Sequence, residues 1–179
     1  EPKGNDTFNS ELLLKRDIAL KEHIWTIFEY ESSIGYQDDC AKEAYKKGVT
    51  ARDESISAAL YRFSLDGHLD RERLLKATLT TFHRSFKKDM AGWFAGFFET
   101  LQPTTGELLS LQEEMMQIFT SSYTKPVNVM LQQLKNIASE EGFRYQEFIE
   151  RATTLFFSSP KNSLLTIYAL FEKIVAQHP

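Results

Sequence analysis

The residue types that do chemistry are few and scattered in this chain. Of the four histidines, His23, His68, His83 and His178, none lies in the H-E-x-x-H pattern by which one helix face grips zinc. Cys40 is the only cysteine, so neither an internal disulfide nor a thiolate-rich zinc site can form, and a lone thiol fits a reducing compartment. Asp38 and Asp39 beside Cys40 have the types for acid or nucleophilic work. Adjacent carboxylates more often open a helix, where they meet the positive end of its dipole. His68 with Asp66 and Asp70 forms a ligand-like group, yet Gly67 among them favours a solvated corner with Asp70 as the next helix cap. Glu113-Glu114 and Glu140-Glu141 are adjacent rather than three or four apart on one face, and read as surface. There is no phosphate loop, no dinucleotide glycine fingerprint, no nucleophile elbow and no Glu-x-x-His pair. The expectation is a non-enzyme with no catalytic residue, no cofactor and no metal.

The 179 residues are 42% hydrophobic and 26% charged, which excludes collagen, low-complexity and coiled-coil compositions. Such a length supports one domain whose core needs no staples. With 21 Lys plus Arg against 25 Asp plus Glu, the net charge of −4 argues against a dedicated nucleic-acid binder. No window approaches the roughly 20 apolar residues of a membrane span, and Glu1 to Asp6 contains neither an initiator Met nor an apolar signal core. A cytoplasmic chain, processed or cut from something longer, is expected.

Apolar residues recur at three- and four-residue steps, as in Leu74, Leu75, Leu79 and Phe82, and sustained alternation is absent. That period predicts an all-α protein. Ser10, Thr50 with Asp53, Asp70, Thr104 with Glu107, and Ser159 before Pro160 serve as start signals. Gly35, Gly48, Gly67, Gly106 and Gly142 mark stops. About nine helices result, near 10–32, 37–47, 51–65, 70–85, 87–101, 105–121, 125–140, 144–158 and 160–177.

A 37-residue period organises the later helices. Phe82, Phe119 and Phe156 fall in register, as do Ser85, Ser122 and Ser159 at the turn that follows. The partner helix repeats too, through Met90, Val127 and Leu164, then Trp93, Met130 and Ile167, then Phe94, Leu131 and Tyr168, then Phe97, Leu134 and Phe171. One step earlier, Ala41, Tyr45, Gly48, Ile56 and Leu60 suggest a weaker fourth unit. A period in the thirties made of two antiparallel helices predicts a right-handed α-solenoid of the HEAT/armadillo type, in which each pair buries its apolar face against the next. The repeats fall near 35–69, 70–106, 107–143 and 144–179, within a single helical domain 10–179. Residues 10–32 cap the stack, and 1–9 are disordered or extended. Ala91, Gly92, Ala95 and Gly96 predict a shallow helix face open to close approach by another backbone.

Two surface features stand above this background. Arg84, Lys87, Lys88, Lys125 and Lys161 all fall at the turns inside pairs and line one edge of a stack. Phe98 stands where the next pairs have Lys135 and Glu172, so it is expected either to face water or to be covered by something particular to its pair, packing against a terminal helix being the commoner outcome, with Tyr61 as its counterpart one repeat earlier. The same phase turns Asn128 and Gln132 outward. Tyr61, Lys88, Phe98, Asn128, Gln132 and Lys135 are therefore the expected partner-binding surface.

His23-Ile24-Trp25-Thr26-Ile27-Phe28-Glu29, Leu69-Asp70-Arg71-Glu72-Arg73-Leu74-Leu75, Ala91-Gly92-Trp93-Phe94 and Leu101-Gln102-Pro103-Thr104 resemble segments of a bacterial family of large, uncharacterised proteins similar to HEAT-like repeats. The resemblance covers roughly residues 20–140. It implies a bacterial source, an intracellular location and a longer parent chain, and it supplies no substrate. The expected function is a protein-interaction scaffold acting as a monomer on an unidentified protein partner, away from nucleic acid and membrane. A nucleic-acid-binding HEAT-like module and the non-catalytic regulatory part of an enzyme are the alternatives.

Overall fold

The computed structural model describes residues 10–50, 53–157 and 160–177. Among these the chain is all-helical, with eleven α-helices, four 3₁₀ segments and no strand. Two compact units divide it, Glu1–Ala77 and Thr78–Pro179. The expected segment 1–9 lies outside the described residues.

In the first unit the helix expected over 10–32 is broken into α1 (Ser10–Leu14), α2 (Asp17–Lys21) and a 3₁₀ segment, His23–Phe28. Side chains compete with the helical ladder here. The Trp25 indole N–H donates to the Lys21 carbonyl at 2.8 Å, an acceptor that an α-helix gives to a backbone N–H, and Thr26 Oγ1 donates to the His23 carbonyl at 2.7 Å. Trp25 and Phe28 are buried, and the Arg73 guanidinium lies 3.9 Å from the Trp25 ring centroid.

Then come α3 (Ile34–Lys46) and α4 (Ile56–Leu65), which pack on each other. Gly35 lies in the first turn of α3 rather than ending a helix; Gly48, with φ of 70°, makes the stop. The cap of α4 is Ser55, whose Oγ accepts from the Ala58 N–H, not Thr50. Asp53 accepts from the Ser55 N–H, so the carboxylate shapes the approach to the helix instead of closing a box with Thr50. Asp70 does cap α5 (Arg71–Thr80), accepting from the Arg73 N–H.

From α5 onward, whose residues span the boundary between the two units, one succession of elements occurs three times in chain order. A first helix tightens into a 3₁₀ segment, turns, and returns as a longer second helix. In the first pair, α5 is followed by Thr81–His83 and then α6 (Lys88–Thr100). In the second, α7 (Thr105–Ser110) and α8 (Gln112–Gln117) are followed by Ile118–Thr120 and α9 (Thr124–Ile137). In the third, α10 (Tyr145–Ala152) is followed by Thr153–Phe157 and α11 (Lys161–Gln177). Phe82, Phe119 and Phe156 each sit on the 3₁₀ segment. The weaker fourth unit lacks that segment, and its Tyr45 is exposed.

Thr104 and Glu107 form the expected capping box of α7. The expected helix 105–121 breaks at Leu111, and Gly106 lies inside α7; the stop ahead of it is Gln102, left-handed with φ of 47° beside Pro103.

The second helices pack in chain order, α9 against both α6 and α11. Hydrogen bonds tie α9 to α11 along their whole lengths. Ser163 bonds Asn128, Gln132 donates to Thr166, Lys173 donates to the Lys135 carbonyl, and Gln177 donates to the Ser139 carbonyl. Early residues meet early ones and late meet late, so the two helices run parallel. At the α6–α9 junction the Tyr123 hydroxyl donates to the Phe86 carbonyl, 37 residues away. The first helices are joined by Gln112, a buried side chain that donates to the Gly142 carbonyl and accepts from the Arg144 N–H. The buried apolar layer of the second unit contains Phe94, Phe97, Leu131, Leu134, Phe148 and Ile167.

Candidate functional site

The six expected surface residues have different fates. Lys88 and Gln132 are exposed, while Tyr61, Asn128 and Lys135 are half-buried. Phe98 overturns the expectation, since none of its surface reaches water. It was assigned outward because Lys135 and Glu172 occupy its register. On α9 that register borders the seam with α11: Asn128 and Gln132 bond α11 side chains, the Lys135 backbone carbonyl accepts from Lys173, and Lys135 is half-buried. A lysine is accommodated there because its stem can lie along a neighbouring helix while the ammonium reaches water.

The basic edge is assembled from helix starts in the second unit. Arg84, Lys87, Lys88, Lys125 and Lys161 are all exposed. Neither α6 nor α9 has a side chain capping its N-terminus. Both therefore combine the positive end of a helix dipole with lysines in the first turn. The Lys125 side chain runs toward α6, where a Cβ built on Gly92 would stand 3.6 Å from its Cδ. The shallow face at Gly92 and Gly96 thus receives a flexible side chain, not the helix backbone expected there.

The acidic candidates resolve into scaffolding. Asp38 is fully buried, with Oδ1 accepting from the Ser57 N–H and Oδ2 from the Ser57 hydroxyl, both at 2.8 Å. Lys42 lies 2.7 Å from the same carboxylate. Asp38 consequently serves the start of α4, a neighbouring helix, and not the start of its own as expected. Ser55 and Ser57 join it 3.3 Å apart, making a buried polar node for which the sequence carries no local signal. Cys40 and Tyr36 are exposed, and hydrogen bonding to Cys40, followed by its charge, pushes the Tyr36 phenol above its ordinary value. His68 packs edge-on against Phe63 with ring centroids 6.2 Å apart, at a corner where its N–H bonds the Phe63 carbonyl. Glu113 pairs with Arg144 across two helix pairs at 2.9 Å.

Among the described residues no three His, Cys, Asp or Glu side chains gather as a metal site, and no helix is long and apolar enough to cross a membrane. The described residues thus define an all-α protein. It belongs to the DUF6493 family, a domain of unknown function whose family model matches residues 1–162. No curated protein and no solved structure matches the chain.

Proposed function

We propose that the chain is a segment of a right-handed, HEAT-like α-solenoid that serves as a protein-interaction scaffold inside a larger cytoplasmic bacterial protein. The observation that carries this reading is the succession, three times in chain order, of a first helix ending in a 3₁₀ segment and a longer second helix, with α9 packed on α6 and α11 on α9. Such a stack presents a long, rigid side made of successive second helices, and rigid extended sides are what helical-repeat proteins use to bind other proteins. In the second unit the accessible part of that side is Lys88 and Gln132, with Asn128 and Lys135 half-buried beside Gln132 on α9; Phe98 contributes by holding α6 in place, and Tyr61 belongs to the first unit.

The test is a photo-crosslinker placed at Lys88 and at Gln132 in the native cell. The expected result is one protein captured from both positions and lost in the Lys88→Glu, Gln132→Glu double variant. Capture that the double variant leaves unchanged overturns the reading.

The uncapped starts of α6 and α9 support a second reading, in which Lys88, Lys125 and Lys161 hold a phosphate backbone. Its signature is duplex binding that weakens steeply with salt and loses part of that slope in Lys88→Glu and Lys125→Glu. Binding insensitive to those changes removes it.

A further inference from the structure

The same stripe of the repeat is covered on two second helices and open on the third. On α6 the stripe is Ala91, Phe94, Phe98 and Leu101, and all four are buried. On α9 it is Asn128, Leu131, Lys135 and Ala138, where α11 docks through Asn128 and Lys135, and Leu131 and Ala138 are buried. On α11 it is Leu165, Tyr168, Glu172 and Val175. Leu165 is 57% exposed, Tyr168 56% and Val175 64%. A parallel helix covers this register on α9, so three large apolar side chains in one line on α11 mark a docking face rather than scattered surface residues.

We infer that this face of α11 receives one more helix pair of the same repeat, its second helix lying parallel to α11 as α11 lies on α9. The inference rests on the stacked-pair reading above. Continuity with the α9–α11 seam states the chemistry of the occupant. On α11 the docking side runs Ser163, Ile167, Leu170, Ile174, three of them aliphatic and all buried, with Lys173 and Gln177 beside them. The incoming helix therefore carries a small polar residue, then aliphatic residues four, seven and eleven positions later, and a cation ten positions on. That cation comes near Glu172, the one charged member of the open stripe. Phe148, Phe156 and Phe171 already pack together beneath α11, so the receiving helix is held in place before docking.

The experiment joins a second copy of residues 143–179 after Pro179 of the full chain, which keeps the 37-residue step. Hydrogen exchange of the α11 amides is then compared with the unextended chain. The expected result is at least tenfold slower exchange in α11, returned to the unextended rate by Tyr168→Asp in the first copy. Unchanged exchange, or slowing indifferent to Tyr168→Asp, overturns the assignment. Dimerisation of the unextended chain in sedimentation, abolished by Tyr168→Asp, gives the face to a second copy and also overturns it. Leu170→Ala in the unextended chain separates the two levels. If it speeds exchange in both α9 and α11 while the extension fails to dock, the inference alone fails; if it leaves α9 unaffected, the stacked-pair reading fails as well.

Discussion

The two units answer the same structural need with opposite chemistry. Position 57 in the first unit is Ser, and the residues one and two repeats later are Phe94 and Leu131. All three are fully buried. Position 64 is again Ser, against Leu101 and Ala138. In the first unit burial is made tolerable by saturating hydrogen bonds: Ser57 is bound to Asp38, and Ser64 donates to the Tyr61 carbonyl at 2.7 Å and accepts from Arg71. In the second it is favourable outright, at roughly 25 cal/mol per Å² of apolar surface removed from water. A saturated polar contact is directional and specifies one local geometry, whereas an apolar seam can be reissued wherever the same shape recurs. On the proposed stacked-pair reading, that difference accounts for the greater regularity of the later helix pairs.

Removing the largest shared piece of the apolar layer tests this most severely. Phe148 is fully buried and contacts Phe119 in the preceding pair, Phe143 before its own helix, and Phe171 on α11. Phe148→Ala is expected to cost about 4 kcal/mol, the usual loss for a buried aromatic truncated to leave a cavity. Urea denaturation measures it. A loss under about 1.5 kcal/mol means that the pairs are not interlocked through this ring, and the apolar account of the second unit breaks.

The polar node of the first unit comes next. Asp38→Ala leaves the Ser57 N–H and hydroxyl without their acceptor and strips Lys42 of its partner, with an expected cost of about 3 kcal/mol, in the range for breaking a buried charged pair. Asp38→Asn keeps an acceptor for the Ser57 N–H but replaces the oxygen facing the Ser57 hydroxyl and Lys42 with an NH2 donor, so it is expected to cost less than Asp38→Ala but more than the loss of charge alone. The two variants, compared by thermal unfolding, sharpen the contrast: equal losses would mean that the charge, not the hydrogen bonding, holds α3 to α4.

Much of the helical content was legible because it follows from spacing, and spacing survives in a single sequence. The capping box at Thr104 and the cap at Asp70 were legible for the same reason, since each acts within one turn. What escaped were decisions made by neighbours distant in sequence. Asp38 looks like any helix-opening carboxylate until α4 is placed nineteen residues on. Likewise Trp25 sits in an amphipathic pattern, and nothing in that pattern says its indole will take a carbonyl from the ladder. Phe98 shows the subtler failure. A charge at an aligned position does not by itself mean water, since Lys135 is half-buried beside the α9–α11 seam. Glu172 is charged on a stripe that α11 simply leaves open, so two residues in the same register carried different information.

The smallest expected effect concerns the glycines of α6, which set the second unit's close packing against its chain entropy. Gly92 and Gly96 lie inside a helix, where each costs up to about 1 kcal/mol relative to Ala. If a helix backbone rested on them, a methyl group would clash and the cost would be justified by packing. The nearest atom to a Cβ built at Gly96 is instead Lys125 Nζ, at 3.8 Å, an ordinary contact with the end of a flexible side chain. Gly96→Ala is therefore expected to stabilise the chain by roughly 0.5–1 kcal/mol, since it restricts the unfolded state without disturbing the folded one. A rise in the urea midpoint at unchanged slope confirms that α6 tolerates the methyl. A fall means that α9 approaches α6 more closely than Lys125 alone requires, and the small-residue face regains the packing role its spacing suggested.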